Sequence, residues 1–169
     1  MKNDVLFSES QRFKKWWIYV LTLGVFLFTS YAFIRQVVLH QPFIDNPISN
    51  KALVGSLISS LIIILLLLSI RLQTRIQNDG IYIRFFPFML SYRHYAWHEL
   101  SACYVRQYSP LAEFGGWGYR FGSGGKAFNI SGNNGLQLDF VTKKRLLIGT
   151  QCPLELENTL SSLGKILAP

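Results

Sequence analysis

Charged side chains are scarce in this chain of 169 residues. They make up 15% of it, against roughly 25% in ordinary soluble domains. The shortage is concentrated: Trp16 to Ile34 and Ala52 to Ile70 hold no Asp, Glu, Lys or Arg at all, over 19 residues each. A helix rises about 1.5 Å per residue, so each window spans roughly 28 Å, close to the roughly 30 Å hydrocarbon core of a bilayer. The second, ALVGSLISSLIIILLLLSI, contains nothing more polar than four serines. A buried helix of that kind would need apolar neighbours on every side, and so short a chain cannot supply them. The absence of any ionisable group inside either window argues against an ion or proton path through this chain alone. No A-x-A site follows the first window, which is longer than a signal-peptide core and opens on Trp16 and Trp17, so both helices are expected to stay in the mature chain.

Other chemistries are excluded by what is missing. There is no G-x-S-x-G elbow, and no cysteine with an evident orienting base. Gly125-Lys126 suggests a P-loop end, but Arg120 stands where that motif needs its first glycine and Ala127 where it needs Ser or Thr. His94, His98, Cys103 and Cys152 are zinc-ligand types without finger or ribbon spacing. Too few carboxylates remain, after turns and helix starts are assigned, for a paired acid–base site. No enzyme, cofactor or metal is expected.

What is present sets an orientation. Lys2, Arg12, Lys14 and Lys15 precede the first apolar window, and Arg71, Arg75 and Arg84 follow the second. The connection carries only Arg35 and Lys51, both at its edges. Cytoplasmic flanks collect Lys and Arg, so the N-terminal segment (1–15) and everything after the hairpin (16–71, helices about 16–38 and 52–71) are expected in the cytoplasm of a multi-pass inner-membrane protein. Arg12, Lys14, Lys15, Trp16, Trp17, Arg71 and Arg75 are the expected membrane-surface contacts. In that reducing compartment the two cysteines are read as free thiols. Residues 71–169 hold 11 Lys or Arg and 6 Asp or Glu, a balance suited to an anionic leaflet. No nucleic-acid recognition motif accompanies it.

From Leu72 the apolar runs give way to alternation. Leu72, Thr74 and Ile76 share a face, Asn78-Asp79-Gly80 signals a hairpin, and Ile81, Ile83 and Phe85 alternate with Tyr82, Arg84 and Phe86. Pro87 ends that run. Strands are expected at Tyr92–Trp97, Leu100–Tyr108, Tyr119–Phe121, Lys126–Ile130, Leu136–Val141 and Arg145–Gly149, making seven or eight in an antiparallel barrel or sandwich. After Pro153, Leu154, Leu160 and Leu163 recur at helical spacing, with Glu155 and Glu157 in the first turn and Lys165 in the last. A helix over about 153–167 would close the 72–169 domain.

Glu113-Phe-Gly-Gly-Trp-Gly-Tyr-Arg120, Gly125-Lys-Ala-Phe-Asn-Ile-Ser-Gly132, Gly135-Leu-Gln-Leu and Leu147-Ile-Gly-Thr150 are similar to the most distinctive part of a group of uncharacterised bacterial membrane proteins. In that group two N-terminal transmembrane helices feed a pleckstrin-homology-like (PH-like) domain. The resemblance implies a transmembrane helical hairpin plus a mainly-β PH-like domain closed by one C-terminal helix, and is silent on activity. The lysine-rich first loop that PH domains use for inositol lipids is here the short, acidic Asn78-Asp79-Gly80.

The candidate site is the glycine-rich stretch Glu113 to Lys126. Glycines there surround Trp117, Tyr119 and Arg120, the composition of a binding loop. Glu113, Trp117, Tyr119, Arg120 and Lys126 are the expected partner-binding residues. The competing reading makes the loop structural, with Trp117 plugging the domain end and Glu113 paired with Arg120 or Arg106. The expected role is a membrane-anchored binding or scaffold module, with the bilayer, a protein or a second copy as partner. The alternative is an accessory or assembly subunit of a membrane complex acting through its hairpin.

Overall fold

The computed structural model describes residues 4–13, 16–41, 48–122 and 124–166. Two compact units emerge, residues 14–69 and a β-domain built from residues 1–13 together with 70–169.

The helical unit consists of α1 (Trp16–Phe33), continued by a π-helical turn over Ile34–Val38, and α2 (Asn50–Ser69). Both are long and apolar enough to cross a membrane. The two helices pack against each other, yet only Ala32 on α1 and Leu53 and Ser60 on α2 are buried. A core helix of a soluble protein would be covered on most sides; these expose Leu, Ile, Val and Phe almost all round. The small-residue cluster Gly55, Ser56, Ser59 and Ser60 contributes only Ser60 to the buried seam, and the three serine hydroxyls donate back to carbonyls of their own helix. The Gln36 amide donates to Asn50 Oδ1 at 2.8 Å and to the Ile48 carbonyl, tying the far ends together.

The β-domain holds nine strands among the described residues. β1 (Val5–Arg12), β2 (Arg71–Gln77), β3 (Gly80–Phe86) and β4 (Arg93–Ala96) form one antiparallel sheet in that order. β5 (Leu100–Gln107), β6 (Gly118–Gly122), β7 (Gly125–Asn129), β8 (Asn134–Phe140) and β9 (Arg145–Thr150) form a second, in the order β5-β8-β9-β7-β6. A short α3 (Pro110–Phe114) precedes β6, and α4 (Pro153–Ser162) follows β9. Gln77 pairs with Gly80, so the first hairpin loop is Asn78–Asp79. Leu72, Thr74 and Ile76 on β2, and Ile81, Ile83 and Phe85 on β3, all face inward as the alternation requires.

Four expectations change. Val5–Arg12, part of the segment 1–15 read as separate, form strand β1. Among the described residues the sheets do not close into a barrel: β4 pairs only with β3 and β6 only with β7, and the one-turn helix Trp97–Glu99 carries the chain from one sheet to the other. The strands are not all antiparallel. The β8–β9 hairpin lays β9 beside β7, and Lys126, Ala127 and Phe128 run parallel to Leu146, Leu147 and Ile148. β9 is thereby central, and its continuous Leu-Leu-Ile is buried on both faces. Lastly, α4 stops at Ser162. Gly164 adopts φ +61°, its N–H bonds the Ser161 carbonyl, and the Lys165 N–H bonds that of Leu160, a Schellman ending that leaves Lys165 beyond the helix. Leu156, Leu160 and Leu163 form its apolar stripe, whereas Leu154 is exposed.

One core fills the space between the sheets. Phe7, Leu72, Ile83, Leu136, Ile148 and Leu160 reach it from six different elements. A satellite of Tyr108, Phe114, Ala127 and Leu147 lies under α3.

Candidate functional site

The glycine-rich segment is a tightly bonded structure. Ser109 caps α3, its hydroxyl accepting from the Ala112 N–H at 3.4 Å, and Pro110 suits the first helical position. Glu113 accepts from Arg106 through both oxygens, at 2.7 and 3.3 Å, and from the Ser109 N–H at 2.8 Å. Of the two pairings open from the sequence, Arg106 takes the carboxylate. Trp117 Nε1 donates to the Gly132 carbonyl at 3.0 Å. Arg120 Nε turns back to the Trp117 carbonyl at 3.0 Å. Asn129 Oδ1 accepts from the Gly118 N–H, while its amide donates to the Tyr108 hydroxyl at 3.0 Å. Tyr119 stacks on Phe128 with ring centres 5.0 Å apart. Glu113 and Trp117 are thus engaged within the domain, and Tyr119, Arg120 and Lys126 present surface to solvent.

The Arg106 guanidinium and the Ser109 N–H together hold the Glu113 carboxyl below its ordinary pKa, partly opposed by burial. A depressed pKa contributes stability that is complete above the unfolded carboxylate value and fades as pH falls through the folded one. The melting temperature of Glu113→Gln is therefore expected to lie below that of the native chain at neutral pH and to converge on it below about pH 4. Parallel melting curves across that range would contradict the pairing.

The open seam between the sheets is a recess with a volume of about 960 Å³. Its walls are the edge of β4, the β6–β7 hairpin and the β8–β9 turn. Arg93, Lys126, Lys143, Lys144 and Arg145 line it against one carboxylate, Glu99. Arg145 also stands 3.8 Å from Asp139; Arg93, Lys143 and Lys144 have no carboxylate within 4 Å among the described residues. The floor is aromatic, with Tyr95 and Phe140 centred 5.4 Å apart and Phe128 beside them. Burial raises the Tyr95 phenol above its usual pKa, with Arg93 alongside acting in the opposite direction. Lys143 sits at the tip of the β8–β9 turn with φ +61°, a conformation uncommon for a side chain larger than Asn or Asp. The turn is held by N–H groups of Lys143 and Val141 bonding the carbonyls of Phe140 and Glu99. Cations around an apolar floor suit an acidic, partly apolar ligand surface.

Sequence reasoning reached this cleft only through Lys126. Lys143 and Lys144 fall between the strands expected at Leu136–Val141 and Arg145–Gly149, and Arg93 falls inside the strand expected at Tyr92–Trp97. The run Lys143-Lys144-Arg145 is the one local signal, and nothing near it in sequence shows that Arg93 and Tyr95 stand opposite.

Of the expected membrane-surface residues, Arg12 and Arg71 face each other across β1 and β2. Arg75 and Arg84 hold their guanidinium carbons 4.7 and 5.1 Å from the Tyr92 ring centre. Trp16 and Trp17 open α1 with exposed rings, and Lys14 and Lys15 lie outside the described residues. The cysteine and histidine candidates separate. Cys103 is buried, its thiol pushed up to about 12 by desolvation. His94 stacks on Tyr82 at 4.4 Å, with Nε2 3.7 Å from Asp79. No three His, Cys, Asp or Glu side chains converge as a metal site among the described residues.

No curated protein matches this sequence. The pattern of one family, described as a family of unknown function (DUF6141), matches residues 2–165. With nearly the whole length matched, helical hairpin and β-domain alike, this chain belongs to the DUF6141 family.

Proposed function

We propose that this chain is a membrane-anchored binding module without catalytic activity, its β-domain PH-like and its N-terminus and β-domain on the cytoplasmic face of a bacterial inner membrane. Strand pairing supports the sidedness. β1 ends four residues before Trp16 and β2 begins two residues after Ser69, and the two strands are neighbours in one sheet. Two crossings joined to a shared sheet bring both ends to one side, and the flanking Lys and Arg make that side cytoplasmic. A four-stranded sheet, a second sheet and a helix packed on the core support the PH-like reading; the β6–β7 hairpin and the parallel β7–β9 pair are departures from that pattern.

The observation that carries the binding role is the open basic cleft over Tyr95, Phe128 and Phe140. It fits an acidic segment of a protein partner or of a second copy. In the full-length chain, Lys143→Glu with Lys144→Glu reverses two exposed charges without touching the core. Capture of crosslinked partners from native membranes is expected to fall about tenfold or more, as charge reversal at a complementary contact does, with the melting temperature unchanged. Undiminished capture would instead favour the accessory-subunit reading, in which the apolar outer faces of α1 and α2 make the contacts.

A further inference from the structure

We infer that the β3–β4 turn, Pro87–Leu90, inserts into the headgroup boundary of an anionic leaflet as a third membrane contact beside the two helices. The register of the first sheet leads to it. Arg12 on β1 stands opposite Arg71 on β2, and Arg71 stands opposite Phe86 at the end of β3. These three positions form the sheet end through which the chain passes to and from α1 and α2. The turn begins at the next residue, Pro87, so it leaves the sheet at that same end.

The turn displays apolar surface on a fixed frame. The Met89 N–H donates to the Phe85 carbonyl at 2.7 Å, and the Met89 side chain packs against the core. On either side of that inward anchor, Phe88 is 64% exposed and Leu90 76% exposed. The Phe88 ring lies 5.4 Å from Phe85, nearly stacked, which fixes its direction. Two large apolar side chains held outward by a bonded turn are uncommon on a water-facing loop.

The charges beside it name the occupant. Arg12 and Arg71 are directly opposed across the strand pair, an arrangement unfavourable by itself. Arg75 and Arg84 flank the Tyr92 ring just after the turn. Among the described residues none of these four arginines has a carboxylate within 4 Å. Anionic headgroups would supply the missing counter-charge, and an apolar tip rimmed by Arg and an aromatic ring is the composition of an interfacial segment.

The inference rests on the reading that α1 and α2 span the bilayer, and one experiment separates the two. The full-length chain, with Cys152→Ser to remove the exposed thiol, receives Leu90→Cys or Asn78→Cys and an environment-sensitive fluorophore. Asn78 marks the opposite end of the same sheet, next to the Gln77–Gly80 pair. Both proteins are reconstituted into vesicles of phosphatidylcholine and phosphatidylglycerol. The Leu90 probe is expected to shift to the blue, brighten several-fold and be quenched by spin-labelled lipid, while the Asn78 probe reads as in water. If the chain resists alkaline carbonate extraction yet the Leu90 probe matches Asn78, the inference is overturned and the helical anchor stands. A blue-shifted Leu90 probe that lipid spin labels do not quench also overturns it, since protein then covers the turn. Extraction of the chain by carbonate sinks both readings.

Discussion

Replacing Phe7 by alanine is expected to cost the β-domain about 3–5 kcal/mol, the range for removing a buried aromatic ring, and to lower its melting temperature by at least about 10 °C. Phe7 is 2% exposed and sits in the main core with Leu72 and Ile76; in the sheet it pairs with Ile76. Its strand also bridges the two sheets. The Glu9 carboxylate accepts from the Thr150 hydroxyl and the Gln151 N–H, both at 2.7 Å, and the Gln11 amide donates to the Gly149 carbonyl at 2.6 Å. Loss of the ring therefore leaves a cavity in the core and loosens the strand that joins β2 to β9. Val5→Ala and Leu6→Ala, at positions 48% and 43% exposed, are expected to cost less than about 1 kcal/mol. Thermal melting of the full-length chain in detergent reads the difference. If Phe7→Ala proves as mild as Leu6→Ala, β1 is not part of the folded sheet.

Gly122→Ala is expected to destabilise the domain by about 2–3 kcal/mol, within the range for overpacking. A Cβ on Gly122 would fall on the carbonyl oxygen of Glu113, well inside contact distance, and 3.1 Å from the Phe114 Cα. These are backbone atoms, so β6 and α3 would have to separate. That movement would disturb the Phe114–Tyr108 packing and the Arg106–Glu113 pair. Gly132→Asn makes a useful contrast. Gly132 has φ +80° and no atom within 4 Å of the added Cβ, and Asn tolerates that conformation, so a cost below about 1 kcal/mol is expected. The same melting measurement decides. Equal effects at both positions would mean that close approach to the α3 backbone does not set the cost at Gly122.

The legible and illegible parts of this protein divide by the range of the interactions involved. Most of the strands follow from alternation or apolar runs bounded by turn residues: Ile81, Ile83 and Phe85 announce β3 within seven residues. β1 is different. Its inward face is Phe7, then Glu9, then Gln11, and two polar residues in three conceal the pattern. They are tolerated because their partners lie about 140 positions away, at Gly149 to Gln151. The glycine-rich segment showed its unusual residues in the sequence, but whether Glu113 faced a ligand or Arg106 depended on a strand residue seven positions upstream. The cleft was hidden for the same reason: Arg93 and Lys144 face it from opposite sheets.

By itself the sequence determined the two apolar helices, most of the strands and the closing helix, since each is set by local periodicity against a uniform surrounding, lipid or core. Only the tertiary structure decided that Val5–Arg12 belong to the sheet, that β9 inserts between β8 and β7, and that five cations share a recess. Those outcomes depend on which distant strands pair, and pairing is chosen by the combined burial of both faces rather than by any one segment.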